Sequence, residues 1–88
     1  MANSDLYNMN PSGIVMYSAS WCPDCKQTKA FLTKYKIQYL DVDIGKDNDA
    51  FIFIEKLTHR VRIPTLLFPD GTVLVEPDDE TLGRKLGI

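Results

Sequence analysis

Cysteine is scarce in this chain of 88 residues, which has two cysteines, one tryptophan and one histidine. A structural zinc site takes four ligands, so two cysteines and one distant histidine are too few for a site within one chain. A disulfide between the cysteines would span only two residues, and so short a loop constrains the unfolded chain little. A chemical role is therefore favoured over a structural cross-link.

The sequence also lacks the features that direct proteins to membranes and nucleic acids. No apolar run approaches the roughly 20 residues that span a bilayer. The first residues have no positive patch followed by an apolar block, so they do not resemble a signal peptide. The net charge is −2 with both signs mixed, which offers no basic surface for nucleic acid or anionic lipid. We predict a cytoplasmic protein with neither membrane nor nucleic-acid partners.

The overall composition is that of a small globular protein. Apolar residues make up 44% of the chain and charged residues 25%, which is ordinary for one folded domain. Residues 1–12 are polar and irregular, so we interpret them as a flexible N-terminal arm. Residues 13–88 form the predicted domain.

Hydrophobic periodicity predicts seven elements in the order β-α-β-α-β-β-α. Unalternating apolar residues indicate a first strand buried on both faces, whereas the second strand alternates and has a wetter side. An Asp-Gly turn joins the last two strands into a hairpin. The predicted bounds are 13–18, 23–36, 37–44, about 49–58, 65–68, 72–76 and a last helix that opens at 77–80.

Both cysteines lie in the stretch Trp21-Cys22-Pro23-Asp24-Cys25, between the first strand and the first helix. Pro23 suits the first helical turn. A Cys-X-X-Cys pair at a strand-to-helix junction is typical of thiol–disulfide redox sites. Cys22 is predicted to be the partly exposed nucleophile, because helix N-terminal N–H groups stabilise a negative sulfur. Cys25, one turn further along the helix, is predicted to be more buried and to resolve the mixed disulfide.

Three residues beside the pair are predicted to tune its reactivity, namely Pro23, Asp24 and Lys26. The carboxylate of Asp24 opposes a thiolate on Cys22, and Lys26 partly offsets this effect. The pair should therefore be more reducing than one without this carboxylate. The alternative is that Asp24 is simply an acidic residue placed favourably at a helix N-terminus.

This order of elements, with Trp21–Cys25 after the first strand and Ile63-Pro64-Thr65 before the third, resembles the thioredoxin fold. Within that fold the chain resembles the small bacterial glutaredoxin-like proteins that include the mycoredoxins, over roughly residues 13–88. The resemblance implies an α/β fold with a four-stranded mixed sheet in the order 2-1-3-4 and three helices on its two faces. It also implies a cis peptide bond before Pro64, with the Ile63 backbone beside the cysteines.

The resemblance implies residues that bind the substrate or a thiol cofactor, and we expect these to be Trp21, Arg62, Ile63, Pro64, Asp78 and Asp79. Two features of the glutathione-using relatives are altered. Ala19 replaces their lysine three residues before the first cysteine, and Glu76-Pro77-Asp78-Asp79 replaces their Gly-Gly stretch. The expected reductant is therefore mycothiol, bacillithiol or glutathione, or a donor of the thioredoxin-reductase type.

The predicted function is an enzyme: a monomeric dithiol oxidoreductase that reduces disulfide-containing proteins or mixed disulfides and binds no metal or tightly held cofactor. One alternative is an iron–sulfur or metal-binding carrier, since some glutaredoxins hold a cluster between two chains. Another is a redox-sensing module that binds a partner without turnover.

Overall fold

In a computed structural model of the protein, the structure describes residues 11–88. This part of the chain contains four strands and three helices in the order β1 (Val15–Ser18), α1 (Pro23–Lys34), β2 (Leu40–Asp43), α2 (Asn48–Thr58), β3 (Thr65–Leu67), β4 (Val73–Val75) and α3 (Asp79–Leu86). The predicted order of elements is confirmed. The predicted arm, residues 1–12, lies outside the described residues except for its last two. Pro11 is buried, and the arm's boundary stays a prediction.

The four strands form one mixed sheet in the order β2-β1-β3-β4. β1 runs parallel to β2 and antiparallel to β3, and β4 returns antiparallel beside β3. All four residues of β1 are buried, as its unalternating apolar pattern predicts for a central strand. The thioredoxin fold with strand order 2-1-3-4 is therefore confirmed.

Helix α2 covers one face of the sheet. Successive side chains of a strand point to opposite faces, so Met16 and Tyr17 of β1 lie on different sides. The ring of Tyr17 packs against Phe53 of α2, with ring centroids 5.4 Å apart. Tyr17 is fully buried, so it contributes to the packing between the sheet and α2.

Helices α1 and α3 share the other face. A Cβ atom built on Gly83 of α3 would lie 3.6 Å from the ring of Phe31 in α1, so the two helices are in close contact. Leu82 of α3 and Leu32 of α1 are fully buried beneath them. This arrangement brings the N-termini of both helices to the same end of the domain.

Strand β2 is shorter than the sequence pattern predicts, since it covers Leu40–Asp43 and not residues 37–44. Its pairing with β1 runs only from Val15↔Leu40 to Ser18↔Asp43, because β1 itself has four residues. Asp47 is the N-cap of α2, since its Oδ1 accepts a hydrogen bond from the Ala50 backbone N–H at 3.1 Å. No helix in residues 11–88 combines the length and apolar character needed to cross a membrane.

Candidate active site

Cys22 is the N-cap of α1. Its backbone is extended (φ −96°, ψ 109°), and its Sγ accepts a hydrogen bond from the Cys25 backbone N–H at 3.1 Å. The cysteine sulfur thus takes the place that a serine or aspartate oxygen usually holds at a helix N-terminus. Pro23 follows in the first turn, where its missing N–H has no consequence. The sequence therefore directs the first sulfur to the positive end of the helix dipole.

Cys22 is less exposed than the sequence analysis predicts, with a relative accessibility of 7%. Its Sγ points toward the backbone carbonyl oxygen of Ile63 at 3.8 Å, close enough for a weak S–H···O hydrogen bond. The Ile63–Pro64 peptide bond is cis, as the family resemblance implies. Pro64 is buried and Ile63 is half-buried. The loop before β3 therefore covers one side of the sulfur.

Cys25 is fully buried beneath Cys22. The pKa of the Cys25 thiol is raised to about 12, first by burial and then by the hydrogen bond and the charge shared with Cys22, although the Ala19 backbone and Lys29 lower it. Both cysteines are present as free thiols. The pair thus has one sulfur that keeps slight exposure and one thiol that is fully buried and protonated at neutral pH.

An acid-lined groove of about 230 Å³ lies between the N-terminal ends of α1 and α3. Its walls contain three of the predicted site residues, namely Asp24, Asp78 and Asp79, and the full lining is Asp24, Gln27, Thr28, Glu76, Pro77, Asp78 and Asp79. We call it the acidic groove.

Asp78 is the N-cap of α3, and its Oδ1 accepts a hydrogen bond from the Thr81 backbone N–H at 2.7 Å. That bond lowers the pKa of the Asp78 carboxyl, so this wall of the groove carries a negative charge.

Trp21 lies on the opposite side of the site and is 64% exposed. It borders a second, more apolar groove of about 370 Å³ with Ile44, Gly45, Lys46, Asn48 and Phe51. The Trp21 ring lies directly over Gly45, because a Cβ atom on Gly45 would come within 2.7 Å of Trp21 Cζ3. Trp21, which is expected to bind the substrate or a thiol cofactor, is therefore an exposed residue next to the cysteine pair.

The remaining predicted residues are less closely integrated into the site. Arg62 is half-exposed and lies 4.0 Å from Glu76, at the limit of an ion pair. Lys26 is exposed on α1 and lines neither groove. The single histidine, His59, is the exposed C-cap of α2.

Three residues near the site were missed by the sequence analysis. They are Gly45, Glu76 and Lys29, and only Glu76 is named from the sequence, as a departure from the glutathione-using relatives. The position of Lys29 four residues after Cys25 places both on one helix face. The i, i+4 spacing was the available signal for Lys29, whereas the contact of Gly45 with Trp21 joins distant parts of the chain and leaves no signal in the sequence.

Within residues 11–88, no three His, Cys, Asp or Glu side chains are grouped to hold a metal ion.

Comparison with known proteins places these features in a family context. The glutaredoxin family model matches residues 14–74, more than half of the chain. A candidate glutaredoxin of Mycobacterium tuberculosis strain H37Rv is 33% identical over 79 residues, which cover 89% of this chain and 94% of that protein. The family match includes the cysteine pair and the Ile63–Pro64 bend but ends before Asp78 and Asp79.

Solved structures agree with the family match. A mutant of the thioredoxin-like protein BC3987 has a TM-score of 0.77 at 27% identity, covering 88% of this chain and 97% of its own. The glutaredoxin from Archaeoglobus fulgidus also has a TM-score of 0.77, at 20% identity and with 98% of each chain covered. That second likeness shows the fold alone.

Proposed function

The chain belongs to the glutaredoxin family, and on that basis we propose that it is a dithiol–disulfide oxidoreductase that reduces protein or mixed disulfides through Cys22 and Cys25. The observation that carries this proposal is the position of Cys22. Its Sγ is held at the N-cap of α1 by the Cys25 N–H at 3.1 Å and lies beside the Ile63 carbonyl. Its chain neighbours Trp21 and Asp24 line the two grooves. A sulfur in this position has electrostatic support for a negative charge, and the adjoining grooves offer space for a substrate.

The proposed reaction has two exchange steps. The thiolate of Cys22 attacks one sulfur of the target disulfide, and the electron pair of the broken bond leaves with the other target sulfur, which takes up a proton. Cys25 then loses its proton and attacks the Cys22 Sγ, which breaks the mixed disulfide and releases the second target sulfur as a thiol. The target gains two electrons and the cysteine pair loses them as it forms a disulfide.

We propose that the substrate lies across the site between Trp21 and the Ile63–Pro64 bend. The exposed Trp21 ring offers an apolar surface on one side of Cys22. On the other side, the backbone of Ile63 supports pairing with an extended segment of the target, and Arg62 supports contact with a carboxylate. We further propose that the chain acts as a monomer in the cytoplasm, where free dithiols are kept reduced.

The electron donor is proposed to be a small thiol that carries an amine, because the acidic groove places Asp78 and Asp79 beside the cysteine site. Carboxylates at a helix N-terminus can bind an ammonium group by charge-assisted hydrogen bonds. Bacillithiol and glutathione carry such an amine. Mycothiol, whose nitrogens are both acylated, and a reductase of the thioredoxin-reductase type are the alternatives. The oxidised protein should be offered each of the four in turn, and reduction by none of them would contradict the proposal.

Single-cysteine variants test the reaction itself. Steady-state reduction of 2-hydroxyethyl disulfide and of insulin should be abolished in Cys22→Ser. Cys25→Ser should instead accumulate a mixed disulfide at Cys22, detectable by intact-protein mass spectrometry. Full activity in Cys22→Ser would rule out the assignment of the nucleophile. Stoichiometric binding of a disulfide without turnover would favour a redox-sensing module over an enzyme.

A further inference from the structure

The burial of Cys25 presents the resolving step with an electrostatic difficulty. Cys25 is fully buried, and an anion in an apolar environment is disfavoured relative to its neutral form. The step nevertheless requires a thiolate on Cys25, because a thiol is a poor nucleophile. A cation near Cys25 would reduce this cost.

Lys29 is placed to supply that cation. It follows Cys25 by four residues in α1, so the two side chains are neighbours on one face of the helix, about 6 Å apart along its axis. Helical side chains lean toward the N-terminus, which directs Lys29 back toward Cys25. Its side chain is 32% exposed, so water screens its charge only in part.

The ammonium of Lys29 is held in place from the edge of the sheet. Its Nζ lies 2.8 Å from Oδ2 of Asp41 in β2. The other oxygen of that carboxylate, Oδ1, accepts a hydrogen bond from the Ser18 hydroxyl at 2.6 Å. Ser18 is fully buried at the end of β1, four residues before Cys22. Both carboxylate oxygens of Asp41 are therefore occupied, so this aspartate is more than the wet side of an edge strand.

Ser18, Asp41 and Lys29 form a cluster that takes no part in the two exchange steps proposed above. We propose that Lys29, held by Asp41 and Ser18, is a positioning residue for the resolving step, in which its ammonium stabilises the thiolate that Cys25 forms before it attacks Cys22. The inference rests on the proposed function, since it assigns Cys25 the second exchange step.

The charges around Cys25 agree with this role. Burial and the neighbouring Cys22 raise the pKa of the Cys25 thiol, and the backbone of Ala19 and the charge of Lys29 lower it. The hydrogen bond to Asp41 raises the pKa of Lys29, against the opposite effect of its burial, with smaller contributions from Tyr39 and Cys25. Lys29 therefore stays charged over the pH range in which thiol exchange takes place.

In the resolving step, Cys25 gives its proton to solvent and its thiolate attacks Cys22 Sγ. The Cys22–Cys25 bond forms as the bond between Cys22 and the target sulfur breaks, and the target sulfur leaves with the electron pair and takes a proton from solvent. Lys29 itself is neither oxidised nor deprotonated. Its effect should therefore appear in the second step and leave the first unchanged.

The chromogenic disulfide dithionitrobenzoate separates the two steps. Attack by Cys22 releases one coloured thiolate at a rate that depends on reagent concentration, and attack by Cys25 releases the second at a rate that does not. We expect Lys29→Met to raise the pKa of Cys25 and to slow the second release by about threefold for each unit of that rise. Each unit lowers the thiolate fraction tenfold, and a gain of about threefold in the nucleophilicity of the remaining thiolate offsets part of this loss.

Three further variants decide the interpretation. Lys29→Arg keeps the charge and should restore most of the second rate, whereas Lys34→Met, on the same helix but near its far end, should match the unchanged protein. An unaltered second release in Lys29→Met would overturn the proposal, and so would equal slowing in Lys29→Arg, which would indicate lost packing. If Lys29→Met does not fold, Lys29→Gln replaces it.

The same assay tests the dithiol reaction separately. The proposed function would be contradicted if the unchanged protein gave no first release, or if Cys25→Ser still gave the second release.

Discussion

Trp21 lies beside Cys22, the proposed nucleophile, with its ring over Gly45 and 64% of its surface exposed. Glycine at position 45 leaves the space that the ring occupies. The Gly45 N–H also donates a hydrogen bond to Asp43 Oδ1 at 2.8 Å, which holds this turn close to the end of β2. A contact between a strand end and the cysteine loop thus determines the position of the largest exposed side chain at the site.

Gly45→Ala should displace the Trp21 ring, because the new Cβ atom would lie 2.7 Å from Cζ3. An exposed ring can move at little cost, so we expect a loss of stability below about 1 kcal/mol. Trp21 is the only tryptophan in the chain, so its fluorescence reports the displacement directly. Reduction of insulin should slow more than reduction of 2-hydroxyethyl disulfide, since only a protein substrate is large enough to use the Trp21 surface.

Gly13→Ala is the matched control for this experiment. A Cβ atom on Gly13 meets nothing within 4 Å, so fluorescence and both reduction rates should stay unchanged. If Gly45→Ala has the same emission spectrum as the unchanged protein, the close contact between Gly45 and Trp21 is wrong.

At the scale of the element, helix α3 depends on its charged N-terminus. Asp78 caps it through the Thr81 N–H at 2.7 Å, Asp79 and Glu80 follow in its first turn, and Arg84 and Lys85 lie in its last. This distribution complements the helix dipole at both ends. The same Asp78 borders the acidic groove, so one carboxylate serves both the helix and the proposed cofactor site.

The cap makes stability depend on pH. Hydrogen bonds from the Thr81 backbone N–H and hydroxyl lower the pKa of Asp78 below its ordinary value of 3.8. The folded state therefore binds this proton less readily than the unfolded state, and the stabilisation is present above pH 4 and is lost as the pH falls through the lowered pKa. Asp78→Ser keeps a capping oxygen that does not titrate.

We expect Asp78→Ser to resemble the unchanged protein at pH 7 and to lose less stability between pH 5 and pH 2, as measured by urea denaturation at each pH. Asp70 also has a lowered pKa, from its bonds to Lys85 and Thr72, so the acid sensitivity of the variant should be reduced and not abolished. Parallel pH profiles for the two proteins would show that the cap does not contribute to acid sensitivity.

At the scale of the whole molecule, the sheet is stable because helices cover both of its faces. Ile54 of α2 is fully buried in the core, whereas Ile52, two residues earlier on the same helix, is 39% exposed. The two positions share residue type and helix but differ in burial. They therefore separate the contribution of core packing from that of helix propensity.

Ile54→Ala should lower the free energy of unfolding by about 2–5 kcal/mol, because it removes buried methylene groups and leaves a cavity. Ile52→Ala should change it by less than about 1 kcal/mol. Urea denaturation of the reduced proteins gives both values. Since small domains have a total stability of about 5–15 kcal/mol, the first variant should lose a large share of it and unfold at a much lower urea concentration. Equal losses at the two positions would contradict the packing of α2 described above.

The sequence by itself determined the elements and the position of the cysteine pair. An unalternating apolar run predicted the central strand β1, and proline and acidic residues after Cys22 predicted the start of α1. The proposed roles of Cys22 and Cys25 follow from their position at that helix start, because helix geometry is the same in every protein. The sheet order and the cis bond before Pro64 came from the family resemblance and not from the pattern alone.

Only the tertiary structure decided which side chains surround the cysteines. Gly45 lies under Trp21, and Asp41 holds Lys29 near Cys25, through contacts between residues 24 and 12 positions apart in the chain. The extent to which Ile63 covers Cys22 was likewise not predictable, and Cys22 is less exposed than expected. Hydrophobic periodicity reports which face of an element is buried, but not which element packs against it. Contacts across the fold depend on how the sheet and helices pack together, and that packing is decided by the whole chain.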